Sequence, residues 1–294
     1  MSWLGRIKFR TCGLIVERFL SYDAPAFTCA LSELGIRSGD VLMVHSSLHA
    51  HSGYRDRPID MIDALKCTLG STGLLVMPSM TYTDSSKAFL SRGVEMKVRH
   101  SASKMGLLTE VFRRGKDVKR SLSPTHPLAA WGDRAEMFLA GHEKTDRPFG
   151  PDSPFQRLLE LDGKILCIDT IPDAVTFTHF LEDRIQDKLP FPLYERDHYT
   201  GKVVDGDGRL HSVPTRVLSD DSRRYRREDV LWDKATARGV IRRKKVGNTT
   251  LMVLLCRELE ALVENMYANG ESLFSCRDHE QELGQTPLGG SASD

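Results

Sequence analysis

Ser38-Gly-Asp-Val41-Leu-Met-Val44-His45-Ser-Ser47 is the stretch on which the fold turns. Four apolar residues stand between a Ser-Gly-Asp turn and a polar exit. The run is short for a helix and lacks the alternation of a half-exposed strand, so it reads as a strand buried on both faces. Two more runs repeat the pattern: Leu74-Leu-Val-Met77, entered from Gly70 and Gly73, and Lys164-Ile-Leu-Cys-Ile168. Residues 128–131 give a further strand. Helical periodicity falls between these runs, over residues 24–35 with a glycine stop, 59–69, 104–113, 155–161 and 176–186. Strands alternating with helices predict an α/β fold, a three-layer sandwich with a largely parallel central sheet. Ligands gather at the C-terminal ends of such strands. His45-Ser-Ser47, Pro78-Ser-Met-Thr-Tyr82 and the segment after Asp169 all fall there.

Beyond Pro190 the character changes. Asp205-Gly-Asp-Gly208 carries hairpin-turn chemistry between two short strands. Residues 223–245 hold ten Lys or Arg against three acids, and residues 253–268 read as an amphipathic helix. The expected organisation is an N-terminal helical extension over 1–23 and a single domain over 24–270. That domain carries an appended C-terminal β-hairpin and helix region, with the hairpin and basic segment at 190–245. Residues 271–294 read as a disordered tail.

The 294 residues are 40% hydrophobic and 28% charged, enough apolar material for a large core and unlike a disordered or collagenous chain. Forty-one Lys and Arg against 40 Asp and Glu give +1, which points to no nucleic-acid partner. No run of about 18 apolar residues occurs, so no membrane span is expected. The six cysteines are scattered with no C-x-x-C pair, which fits a reducing compartment. Arg6, Lys8 and Arg10 precede an apolar stretch too short for a signal-peptide core, so a cytoplasmic location is expected.

Four segments carry candidate chemistry. In Thr176-Phe-Thr-His179-Phe-Leu-Glu182 the spacing of three puts His179 and Glu182 on one side of a helix. A carboxylate there can fix the imidazole tautomer, and histidine is poised to accept a proton near neutral pH. By spacing alone the pair reads first as an idle surface contact. Arg120-Ser-Leu-Ser-Pro-Thr-His126-Pro is an irregular loop able to offer donors to a phosphate or carbonyl, or equally a rigid turn. His45, His49 and His51 invite a zinc reading, but their spacing shares no helix face, so a ligand-contacting loop is favoured and no metal is expected. Pro148-Phe-Gly-Pro-Asp-Ser-Pro154 reads as structural, with Ser153 an N-cap ahead of Pro154. Dinucleotide, P-loop and nucleophile-elbow motifs are absent. Cys167 could be imagined as a thiol nucleophile with a histidine base, but its apolar neighbours favour core packing.

Taken in order, these segments resemble the aminoglycoside N(3)-acetyltransferase family, which is distinct from the GNAT acetyltransferases. The resembling stretches are 39–48, 70–78, 105–108, 120–127 with Ala129-Ala-Trp-Gly132, 148–154, 162–167, 176–182 and Gly247-Asn-Thr-Thr250. They span roughly residues 24–268. The resemblance implies acetyl transfer from acetyl-CoA to a primary amine of an aminoglycoside or amino sugar, directly, in a ternary complex. It implies His179 as general base with Glu182 and Thr176 beside it. His45, Ser46, Ser47, Arg120, Ser121, Thr125 and His126 would line the cofactor cleft, with Arg120 on a CoA phosphate. The implied partners are a small amine acceptor and, compatibly, a second copy in a homodimer.

The locally basic 223–245 segment sits awkwardly with a polycationic acceptor and leaves open an amino sugar on a nucleotide or carrier, as in polysaccharide or natural-product biosynthesis. Three further chemistries compete with direct transfer: a metal-dependent amidase or hydrolase, a covalent Cys-His acyltransferase, and a binding protein with a decayed site.

Overall fold

The computed structural model describes residues 11, 13–49 and 51–275. The first helix with both ends described, Ala24–Glu33, begins where the Asp23 side chain accepts from the Ala26 N–H and Pro25 supplies a preset φ. The turn at Gly39 then leads into β1 (Val41–Ser46). Helix Pro58–Leu69 returns the chain to β2 (Leu74–Pro78), laid parallel to β1 with Met43 opposite Val76. After helix Ser86–Ser91 come the short β3 (Glu95–Lys97) and helix Leu107–Arg113. β4 (Lys119–Arg120) and β5 (Leu128–Trp131) enclose the irregular 121–127 loop. Helices Ala135–Leu139 and Pro154–Glu160 precede β6 (Lys164–Ile168), and Ser153 caps the second of them as expected.

The central sheet has the order β4-β5-β2-β1-β6 and continues through two late strands, β9 and β10 below. Between β6 and those strands lies helix Phe177–Arg184. It is followed by the hairpin β7 (Tyr199–Val204) and β8 (Leu210–Thr215), which pairs with β3 in a separate three-stranded sheet. Helices Asp220–Arg224 and Glu228–Ala237 come next, then β9 (Arg242–Val246), β10 (Thr249–Leu255) and helix Cys256–Ala268. β10 runs antiparallel to both β6 and β9, and β5 antiparallel to both β2 and β4. Five strands of the seven therefore point one way. The expected largely parallel sheet is present, with strictly parallel neighbours only in β2-β1-β6.

Alternate residues of the central strands feed two apolar clusters, as a two-residue side-chain period requires. Val41, Met43, Val76, Ile165 and Leu254 belong to one, packed with Phe155, Phe177 and Leu259. Leu42, Val44, Leu75, Leu166 and Val253 belong to the other, packed with Phe27, Leu65 and Phe112. Mixed α/β architecture with a large central sheet is thus observed.

Two readings need correction. Residues 253–255 are not helical but the end of β10, because Leu251–Leu255 is apolar throughout and pairs with β6 and β9; amphipathic periodicity starts only at Cys256. The basic segment is built as two helices and an edge strand. The tail does not begin at 271: Leu273 and Phe274 are buried in the core, and residues 276–294 lie outside the described residues. Of the N-terminal extension, residues 13–19 are helical, and residues 1–10 fall outside the description as well.

Candidate active site

At the end of β6 the chain turns through Asp169, whose φ of 50° is held by carboxylate bonds to Thr249 Oγ1 at 2.8 Å and the Thr250 N–H at 2.7 Å. It then enters helix Phe177–Arg184, which carries His179 and Glu182 on one face. His179 Nδ1 lies 3.0 Å from Glu182 Oε2. Glu182 is only 2% exposed, and the Arg226 guanidinium grips both its oxygens, Nε on Oε1 at 2.5 Å and Nη2 on Oε2 at 2.9 Å. Burial pushes the Glu182 carboxyl upward, but His179 and Arg226 together outweigh it and hold the group below its ordinary value. An ionised carboxylate on Nδ1 fixes the proton there in the neutral ring and turns Nε2 outward as the basic nitrogen.

Two other segments close on this pair. Phe149, from the 148–154 loop, sets its ring 5.0 Å from that of His179 and 4.5 Å from that of His126. His126 has Thr125 Oγ1 at 3.0 Å from its Nδ1, and burial first, then His179 and His142, push its pKa well down, so it stands neutral. The structure therefore brings His126, Thr125, Phe149, His179 and Glu182 together from three segments that are distant in sequence.

Around the strand exits, several polar atoms are buried without a hydrogen-bond partner among the described residues. They are His45 Nε2 and Ser46 Oγ at the end of β1, Ser79 Oγ and Thr81 Oγ1 after β2, and Thr176 Oγ1 ahead of the His179 helix. An orphaned buried polar group costs about 1–3 kcal/mol, so folded chains keep few of them without a task. His45 is pushed down to about 4 by burial and is neutral at pH 7. The neighbouring Ser47 is exposed, and its N–H is already spent on the Ile168 carbonyl at 2.9 Å, leaving only the hydroxyl to offer.

Two expected cleft residues are used otherwise. The Arg120 guanidinium is buried and donates to the carbonyl oxygens of Ser79, Ser101 (2.7 Å) and Val98 (3.4 Å), which ties β4 to two neighbouring segments. A phosphate contact at Nη1 or Nη2 would have to compete with those carbonyls, whereas Nε is buried without a partner among the described residues. Ser121, 2% exposed, accepts from the Leu128 N–H and meets His142 Nδ1, both at 2.9 Å, and closes the loop on itself. Arg120 and Ser121 also line a cavity of about 890 Å³ beside β4, with Arg99, Lys119 and Lys144 on its wall; none of the His179 group lines it.

Cys167 is paired in register with His45, and burial pushes its thiol up to about 12. With the imidazole pushed down and the thiol pushed up, both neighbours favour their neutral forms, the reverse of an activated thiolate-imidazolium pair. His49 sits half-exposed with its Nε2 3.7 Å from Asp169, apart from the buried His45. Among the described residues no three His, Cys, Asp or Glu side chains converge as metal ligands do.

Residues 43–268 match the family described as aminoglycoside 3-N-acetyltransferase. The chain belongs to this family. It is 34% identical over 179 residues to aminoglycoside N(3)-acetyltransferase IV of Salmonella sp, a match covering 60% of this chain and 65%, just under two thirds, of that enzyme. Among solved structures, a histidine-to-alanine mutant of aminoglycoside acetyltransferase AAC(3)-IVa in complex with a gentamicin is 25% identical, with a TM-score of 0.67 over 85% of this chain and 90% of that one. The structure of AAC-IIIb in binary complex with CoASH shares the fold at 20% identity, with a TM-score of 0.66 over 82% and 94% of the two chains. Against this family background the residue that sequence reading missed is Arg226. It lies 44 positions from Glu182 within a basic run, where nothing in the local pattern separates it from its neighbours.

Proposed function

We propose that this acetyltransferase-family chain transfers acetyl from acetyl-CoA to a primary amine of an aminoglycoside, directly, with His179 as general base. The observation that carries the reading is the His179–Glu182–Arg226 array, with His179 still 21% exposed and the hydroxyl of Thr176, three residues before it, without a partner among the described residues. An aliphatic amine is mostly protonated at pH 7 and attacks only when neutral. The ammonium first gives one proton to solvent; as the neutral nitrogen bonds to the thioester carbonyl carbon, Nε2 of His179 takes the second proton, the one the amide product does not keep. The oxyanion that develops is met by hydroxyl donors, for which Thr176 and Ser46 are the candidates. As the C–S bond breaks, the imidazolium returns the proton to the departing CoA sulfur. His45, Ser47, Thr125 and His126 are proposed to line the cleft that holds the thioester.

The charge layout bears on the acceptor. Six cations of the 220–245 region are neutralised locally: Arg223 by Asp220, Arg226 by Glu182, Arg227 by Asp229, Lys234 by Glu271, Arg242 by Glu258 and Lys244 by Glu33. The excess that spoke for an anionic, carrier-linked amino sugar is largely spent within the fold. A cationic acceptor such as gentamicin, the ligand of the related enzyme, is therefore favoured, which makes antibiotic resistance the natural role. Residues 24–270 would act as one catalytic unit in the acetyl-CoA-bearing cytoplasm, and the two apolar clusters support a three-layer arrangement around the sheet. No described helix is long and apolar enough to cross a membrane.

The test is thiol release from acetyl-CoA with gentamicin beside a nucleotide-linked amino sugar. Turnover of the first alone supports the reading. Turnover of the second alone overturns the acceptor, and turnover of neither overturns the activity.

A further inference from the structure

We infer that Arg226 is a positioning residue that sets the proton affinity of His179 through Glu182, and that the segment after the last helix holds Arg226 in place for that task. This rests on the proposed role of His179 and deepens it. The geometry is a fork: the guanidinium bonds both carboxylate oxygens of Glu182, and Oε2 is shared between Arg226 Nη2 at 2.9 Å and His179 Nδ1 at 3.0 Å. A bidentate guanidinium neutralises most of the carboxylate charge, so the imidazolium gains less from Glu182 than it would from a bare carboxylate. The arrangement holds the ring by its Nδ1 while sparing Nε2 the strong proton retention of an unshielded ion pair. That suits a base which must take a proton from the amine and give it up to sulfur within one turnover.

The backbone of Arg226 is itself clipped. Arg226 pairs with Phe274 in an antiparallel bridge, the Arg227 N–H donates to the Leu273 carbonyl at 2.7 Å, and the Ser275 N–H to the Tyr225 carbonyl at 2.7 Å. Phe274 is buried and meets the Phe191 ring edge-on at 5.5 Å, and Phe191 in turn packs on Tyr225 at 5.8 Å. A long, many-jointed side chain is thus delivered to a buried carboxylate from a fixed main chain. The other ionisable groups facing the array are Glu228 beside Arg226 at 3.8 Å, Asp173 from the turn before the helix, and His126 from the 121–127 loop. Neither Glu228 nor Asp173 hydrogen-bonds to His179 or Glu182, so Arg226 is the group placed to oppose Glu182.

The test follows the His179 imidazole by NMR through a pH titration of the histidine-labelled full chain, with His179→Ala used to assign the resonance. Arg226→Met should raise the titration midpoint by about one pH unit. Arg226→Lys, which keeps the charge but loses the fork, should give a midpoint between those of the unaltered chain and Arg226→Met, and should fold where Met does not. Phe274→Ala should move the midpoint in the same direction by less. The acidic limb of kcat/KM should follow these shifts. An unmoved or lowered midpoint in both Arg226 variants would overturn the inference. A raised midpoint in a protein that acetylates no acceptor would leave Arg226 in its role and overturn the acetyltransferase reading instead.

Discussion

The helix Phe177–Arg184 and the loop 120–127 are both polar in sequence, yet their polar groups are spent in opposite ways. In the loop, Arg120 spends Nη1 and Nη2 on three carbonyls while Nε has no partner among the described residues, Ser121 is taken up by Leu128 and His142, and Ser123 by the His126 N–H. On the helix, Glu182 is saturated so that His179 can remain partly exposed, and the Thr176 hydroxyl just ahead of it has no partner among the described residues. Residue type alone therefore does not mark a working group. The loop also brings the His126 ring to 4.5 Å from that of Phe149.

That contrast can be broken from either side. The largest effect is expected from His179→Ala, which should lower kcat by about 10²–10⁴ while leaving CoA affinity and the urea midpoint nearly unchanged. Steady-state kinetics with calorimetric CoA binding would check it. Arg120→Met should do the reverse, removing about 2–4 kcal/mol of stability by stranding buried carbonyls, with CoA affinity altered little in the protein that still folds. A large loss of CoA affinity at unchanged stability would put Arg120 back in the cleft.

His142 tests the loop through pH. Its Nε2–H donates to the Pro148 carbonyl at 3.0 Å, so Nδ1 must accept from Ser121, and burial pushes the pKa down to about 4. The folded value lies below the unfolded value of about 6.5, so the contribution is complete above that pH and is lost as pH falls toward 4. Urea unfolding should therefore show a decline of order 2 kcal/mol between about pH 6.5 and 4.5 that is missing in His142→Asn. Thr176→Val should slow turnover about tenfold without lowering stability, since no internal hydrogen bond is broken. The smallest change is expected from Cys167→Ala, a loss of about 1 kcal/mol with kcat retained, which measured kinetics and melting would separate from a nucleophile's complete loss.

Much of this was legible beforehand, for identifiable reasons. The strands at 41–46, 74–78 and 164–168 announce themselves because a doubly covered strand is apolar without interruption. The His179–Glu182 pair is legible because helical spacing of three is a local rule. β10 was misread in part because an all-apolar strand running straight into an amphipathic helix offers no turn residue between Leu255 and Cys256. The basic run at 223–245 misled because its partners Glu33, Glu182, Glu258 and Glu271 come from other elements. Arg226 escaped for the same reason: its significance is a contact, and contacts across 44 residues leave no periodic trace.

The position of β10 also bears on how the protein is made. Its inner neighbour β6 is complete by Ile168, but the strand that covers the free edge of β6 is Thr249–Leu255, more than 80 residues later. During synthesis, Ile165, Leu166, Cys167 and Ile168 therefore wait on an open, apolar sheet edge until residues 249–255 have left the ribosome. A ribosome that stalls or terminates before codon 249 would release a chain with that edge still bare. The quality-control burden of this protein should accordingly fall on its truncated products more than on its point mutants.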